Sequence, residues 1–279
     1  MKKIGFVDLY ISEWHANNYP AWIKSAAEKL GMDYKVAYAW AMEAVSPVDG
    51  RTTDEWCEAF GVEKCDTLEE LCEKSDVILL LAPSNPEVHL ALAERVFPFG
   101  KPTYVDKTFA PDLDTAKRIF ELGETYGTPF FSTSALRYAK EIGEFMGAKN
   151  LLLTGGGSNL PEYVIHLVEM AVTLVKNPMK RVKCEPVGRQ VLIRVEGDEN
   201  QLMMVYSPAL GYSVCGEFAD GKLVKKDVGS EFFPNLIEDI LVFFETGKLP
   251  FDPRETLEVM RIRDGILAAC DSPETWIQI

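Results

Sequence analysis

The stretch Asp76–Ala82, DVILLLA, constrains the fold more than any other part of the chain. A strand with no polar alternation has both faces buried, which is the habit of a parallel sheet covered on both sides. Parallel neighbours cannot be joined by a tight hairpin, so the segments around it should include crossover helices. They do. Strand-like Lys3–Asp8, Tyr34–Ala39, Thr103–Val105 and Phe130–Ser134 alternate with helix-like Ala21–Leu30, Thr53–Phe60, Thr67–Lys74, Glu87–Val96 and Leu113–Tyr126. Gly31, Gly61 and Gly127 stand where three of these helices should stop, and Thr67 with Glu70 has capping-box spacing. The pattern predicts an α/β fold with a Rossmann-like, doubly wound parallel sheet.

The second half changes character. Pro161–Val175 reads as a helix. Arg181–Pro186, Gln190–Val195, Gln201–Tyr206, Tyr212–Phe218 and Lys222–Val228 follow at short spacing, separated by turn residues. They predict a smaller α+β domain with an open, mainly antiparallel sheet laid out as a meander. Two helices, Phe233–Thr246 and Arg254–Cys270, close the chain. The change of character divides the sequence into a Rossmann-like domain, 1–148, and a C-terminal α/β domain, 149–279.

Composition excludes several classes. At 279 residues and 47% apolar content the chain can bury two cores. No strictly apolar run, Val77–Ala82 included, is long enough to span a bilayer, and no signal-peptide pattern opens the sequence. The net charge of −14 argues against a nucleic-acid partner, because phosphate binding needs a basic patch. None of the six cysteines forms a C-x-x-C pair, and no metal site is expected. A reduced, cytoplasmic setting follows as the default.

In a doubly wound sheet, ligands sit at the carboxyl ends of the strands. The loop after the first strand reads Asp8-Leu9-Tyr10-Ile11-Ser12-Glu13. A dinucleotide cradle wants G-x-G-x-x-G there, so that the backbone can approach the pyrophosphate at a helix N-terminus. Tyr10 would take up that space, and Asp8 and Glu13 would repel the anion. The second strand ends in Trp40-Ala41, without the acid that reads the ribose. Ala82-Pro83-Ser84-Asn85-Pro86 can be an ordinary helix entry. Lys107 ends a strand, a position suited to a bound ligand, although a lone lysine is commonly a solvated cation. Glu162 and His166 share a helix face and could form an acid–base pair, or a surface pair with no role.

KSDVILLLAPSNPEVHLALAERVFPFGKPTYVDKTFA, SALRYAKEI, GGGSNLPEYVIHLVEMA and the two closing helices occur in an order that resembles the glucose–fructose oxidoreductase, inositol dehydrogenase and MocA family. The resemblance covers most of the chain. It implies hydride transfer between NAD or NADP and a sugar, polyol or related alcohol. By position, Lys107 would contact the reacting hydroxyl, His166 would exchange its proton, and Glu162 would orient the site. Pro83, Asn85 and His89 would lie near the nicotinamide, with Asp8 and Tyr10 in the cofactor loop. It also implies a homo-oligomer built through the C-terminal sheet. Asp106-Lys107-Thr108 replaces the family's E-K-P, so the proline, and with it any cis bond, is expected to be gone. The alternative function is a non-catalytic sugar-binding or regulatory protein that has lost the cofactor on the same scaffold.

Overall fold

The computed structural model describes all 279 residues, which divide into two compact units. The first comprises 1–133 and 233–253, and the second 134–232 and 254–279. The single boundary near residue 148 is therefore replaced by three crossings. Sequence order alone could not reveal that the helix at 232–246 returns to the first unit.

In the first unit, β1 (Lys2–Asp8), β2 (Tyr34–Ala41), β3 (Glu63–Lys64), β4 (Val77–Leu80), β5 (Thr103–Val105) and β6 (Phe130–Phe131) form one parallel sheet in the order β3-β2-β1-β4-β5-β6. This is the doubly wound order, and the reversal falls between β1 and β4. All four residues of β4 are buried, as the unbroken apolar run requires. The connecting helices are α1 (Trp14–Leu30), α2 (Thr53–Phe60), α3 (Leu68–Lys74), α4 (His89–Val96) and α5 (Leu113–Tyr126). Gly31, Gly61 and Gly127 end α1, α2 and α5 with φ of 66°, 63° and 63°, a left-handed turn that glycine adopts without penalty. Helix α1 begins seven residues earlier than its sequence pattern suggested. Glu13 caps it, and Pro20 is accommodated inside it.

The second unit holds β7 (Asn150–Gly155), α6 (Leu160–Leu174), β8 (Met179–Val187), β9 (Gln190–Gly197), β10 (Gln201–Tyr206), β11 (Ser213–Glu217) and β12 (Leu223–Asp227). After α7 (Phe232–Thr246) the chain adds α8 (Arg254–Asp271) and β13 (Ile277–Gln278). The sheet order is β12-β11-β7-β10-β9-β8-β13. It is mainly antiparallel, but it is not the simple meander expected. β7 inserts between β11 and β10 and runs parallel to β10. Val191, Ile193 and Val195 are buried on one face, whereas Leu152 and Met203 are exposed on the other. No helix is long and apolar enough to cross a membrane.

Helix α7 belongs to the first unit by packing. Phe243 meets Phe131 edge-on with ring centroids 5.1 Å apart, and Glu238 and Glu245 pair with Lys29 and Lys2 at 2.6 and 2.9 Å.

Candidate functional site

At the end of β1, Asp8 is buried, at 1% exposure. Its Oδ1 accepts from the backbone N–H groups of Leu9 and Ala82, at 2.7 and 3.1 Å. Its Oδ2 has no partner. Burial, followed by the nearby Glu13 charge, lifts the Asp8 carboxyl well above the usual carboxylate range. Glu13, 7% exposed, turns its carboxylate onto the first turn of α1. Oε2 accepts from the His15 amide at 2.8 Å, and Oε1 accepts from the Ala16 amide. The His15 ring then bridges Glu13 at 3.3 Å and Asp106 at 3.7 Å. Asp106, at the end of β5, is also buried, and its Oδ2 lacks a hydrogen bond, as does the hydroxyl of buried Tyr19. Tyr10 is half-buried in the same loop.

At the ends of β4 and β5, one carbonyl gathers two donors. Pro83 O accepts from Lys107 Nζ at 3.2 Å and from the Thr108 N–H at 3.3 Å. The Lys107–Thr108 peptide is cis, contrary to the expectation that losing the proline removes the bond. Threonine supplies the amide donor that proline would lack. Lys107 is only 9% exposed. No carboxylate lies within ion-pair distance of it, so an ammonium with three donors has one carbonyl partner. Asn85 turns its amide to Glu87 at 3.0 Å. His89 is fully buried, and its Nδ1 and Nε2 face the carbonyl oxygens of Phe109 and Leu81 at 2.9 and 2.7 Å. Burial lowers its pKa. With both nitrogens occupied, His89 ties α4 to two loops and offers no ring nitrogen to a ligand.

In the second unit, His166 lies on α6 with Nδ1 hydrogen-bonded to Ser134 Oγ at 2.7 Å. The rings of Tyr163 and Tyr212 flank it edge-on, each 5.7 Å from its centroid. Glu162 accepts from Asn159 Nδ2 at 3.1 Å, while Asn159 caps the helix through the Glu162 amide. Sequence reasoning gave Glu162 the orienting role and missed Ser134. That serine also accepts from the Leu136 N–H, a local capping pattern that a reader can find in S-x-L only once the turn is known. The Gly155–Gly157 run is explained by crowding. A Cβ on Gly156 would come within 1.7 Å of the Ser207 carbonyl, and one on Gly157 within 2.0 Å of the Tyr163 ring.

No family model matches the sequence, and no curated protein does. Solved structures do match. A myo-inositol dehydrogenase from Corynebacterium glutamicum superposes with a TM-score of 0.76 at 13% identity, over 100% of this chain and 98% of that one. The chain has the fold of the glucose–fructose oxidoreductase, inositol dehydrogenase and MocA type of dehydrogenase. GenD2 from gentamicin A biosynthesis, solved with NAD, shares this dehydrogenase fold with a TM-score of 0.78 at 13% identity over 100% and 97% of the two chains. So does a dehydrogenase, MviM, from Clostridium difficile, at 0.73 and 15% over 96% and 99%.

Proposed function

We propose that this chain binds a sugar, polyol or related polyhydroxylated molecule, as a binding or regulatory protein on a dehydrogenase scaffold. Lys107 carries the reading. An ammonium almost withdrawn from water, with a single carbonyl partner, has donors left for hydroxyl oxygens. In the second unit, Ser134 bonds His166 at Nδ1 and so fixes the orientation of its ring. Glu162 is the acidic residue one turn before it.

The solved neighbours favour a second reading, an oxidoreductase acting on a CH–OH group with NAD or NADP as hydride acceptor. The two readings part at the cofactor. A dinucleotide needs an anion seat at the start of α1, and Asp8, Tyr10 and Glu13 stand there. This weighs toward binding without hydride transfer. The exposed face of the C-terminal sheet, with Leu152 and Met203, supports a homo-oligomer formed through that sheet.

Calorimetry with a panel of free sugars and polyols, myo-inositol included, tests the proposal on the full chain. At least one member binds, and Lys107→Ala weakens it about tenfold or more, as expected for loss of a charged hydrogen bond. Absence of any binding, or equal binding by Lys107→Ala, overturns it.

A further inference from the structure

We infer that Glu13 seats its own carboxylate on the amides that open α1, where this fold otherwise receives a pyrophosphate, so that the chain takes no dinucleotide in that cradle. The inference rests on the first loop and the strand ends beside it, and stands whether or not a sugar binds.

The glycines of a dinucleotide fingerprint fall at i, i+2 and i+5. Counted from the end of β1, those positions are Asp8, Tyr10 and Glu13. Each replacement removes a different requirement. At the first, the Asp8 carboxyl holds the turn by accepting from Leu9 and Ala82, where a glycine would leave the space above the strand open. At the second, a half-buried tyrosine stands where the backbone must approach the phosphates. The third replacement decides the matter. An arriving anion would find the α1 amides of His15 and Ala16 already donating to Glu13, and the His15 ring turned to the same carboxylate.

The surroundings reinforce the exclusion. Asp106 lies across the His15 ring at 3.7 Å, so an added pyrophosphate would face the buried carboxylates of Glu13 and Asp106 with the Asp8 carboxyl beside them. No group of three or more acidic, histidine or cysteine side chains is arranged to hold a metal ion there. The ribose end is also altered. At the end of β2, Trp40 replaces the usual acid, and the guanidinium of Arg95 lies 5.1 Å over its ring while pairing with Glu69. The fit is therefore refused by residues of the chain itself.

Titration of the full chain with NADH and with NADPH to millimolar concentration, read by nicotinamide fluorescence and by calorimetry, gives no saturable signal. Saturable binding of either, competed by ADP-ribose, overturns the inference. The variant carrying Asp8→Gly, Tyr10→Gly and Glu13→Gly, verified as folded by circular dichroism, binds NADH at least roughly tenfold more tightly than the unaltered chain. A folded variant that binds no better overturns the assignment to these residues. If the variant does not fold, the titration of the unaltered chain still decides. The sugar panel is a separate measurement, and its failure would leave both arms intact.

Discussion

In the second unit, Arg137 reaches Glu169 and Glu255, each at 2.6 Å, and Lys176 adds a second contact to Glu255 at 2.7 Å. In the first unit, Asp8, Glu13 and Asp106 are withdrawn from water, yet one imidazole, the Tyr104 hydroxyl and a few backbone amides are what answer them. Both sets sit in well-packed surroundings. The difference lies in what balances the charge. Paired with guanidinium and ammonium, the carboxylates of the second unit act as a clamp between α6, α8 and the 135–138 turn. In the first unit, part of the balance falls to protonation, because Asp8 holds its proton more tightly than an ordinary aspartate. Cation-paired acids are a device of assembly, whereas acids gathered at strand ends mark where the fold would otherwise meet a ligand.

The comparison can be broken in order of effect. Arg137→Met leaves Glu169 buried without its counter-ion, and denaturant unfolding should lose about 3–5 kcal/mol. A loss below about 1 kcal/mol would mean that the clamp is ornamental. Glu13→Ala removes the cap from α1 and should cost about 1–2 kcal/mol in the same assay. Asp8→Asn should do the opposite. Folded Asp8 has a raised pKa, so the native state binds more protons than the unfolded chain between the two values. Its contribution is full below the unfolded pKa and is lost as pH rises through the folded one. The asparagine variant is therefore matched to the parent in acid and more stable than it at pH above the Asp8 titration. A parallel pH–stability curve would refute this. Glu13→Gln should lower the Asp8 pKa, measured by carboxyl NMR, since the Glu13 charge is one of the causes that raise it. Smallest of all, Lys176→Ala removes a half-exposed partner of Glu255 and should change stability by less than about 1 kcal/mol.

Much of the first unit was legible in the sequence because its signals are local. A continuous apolar run, helix-stopping glycines and a threonine cap each act within a few residues, and β4, Gly31, Gly61, Gly127 and Thr67 all appear where those signals put them. The start of α1 was not legible. Pro20 suggests a break, and the cap seven residues earlier is a glutamate, an uncommon choice at that position. β7 was missed because its partners, β10 and β11, lie about fifty residues further along, beyond the reach of any spacing rule. The candidate site divides in the same way. Strand-end position put Lys107 just beyond β5, where the structure has it. The bonds that hold His89 to carbonyl oxygens and His166 to Ser134 are tertiary, and neither is written in the neighbouring sequence. The acid–tyrosine–acid spacing of 8, 10 and 13 was visible, but its meaning depended on where Glu13 turns its carboxylate.

The return of α7 to the first unit has a consequence for synthesis. Residues 1–133 emerge first, yet Phe131 has no Phe243 to pack against, and Lys2 and Lys29 have no acids to meet, until 233–253 have been made. A growing chain thus carries its earliest domain unfinished while nearly a hundred further residues are added, and the domain begun first is among the last to close.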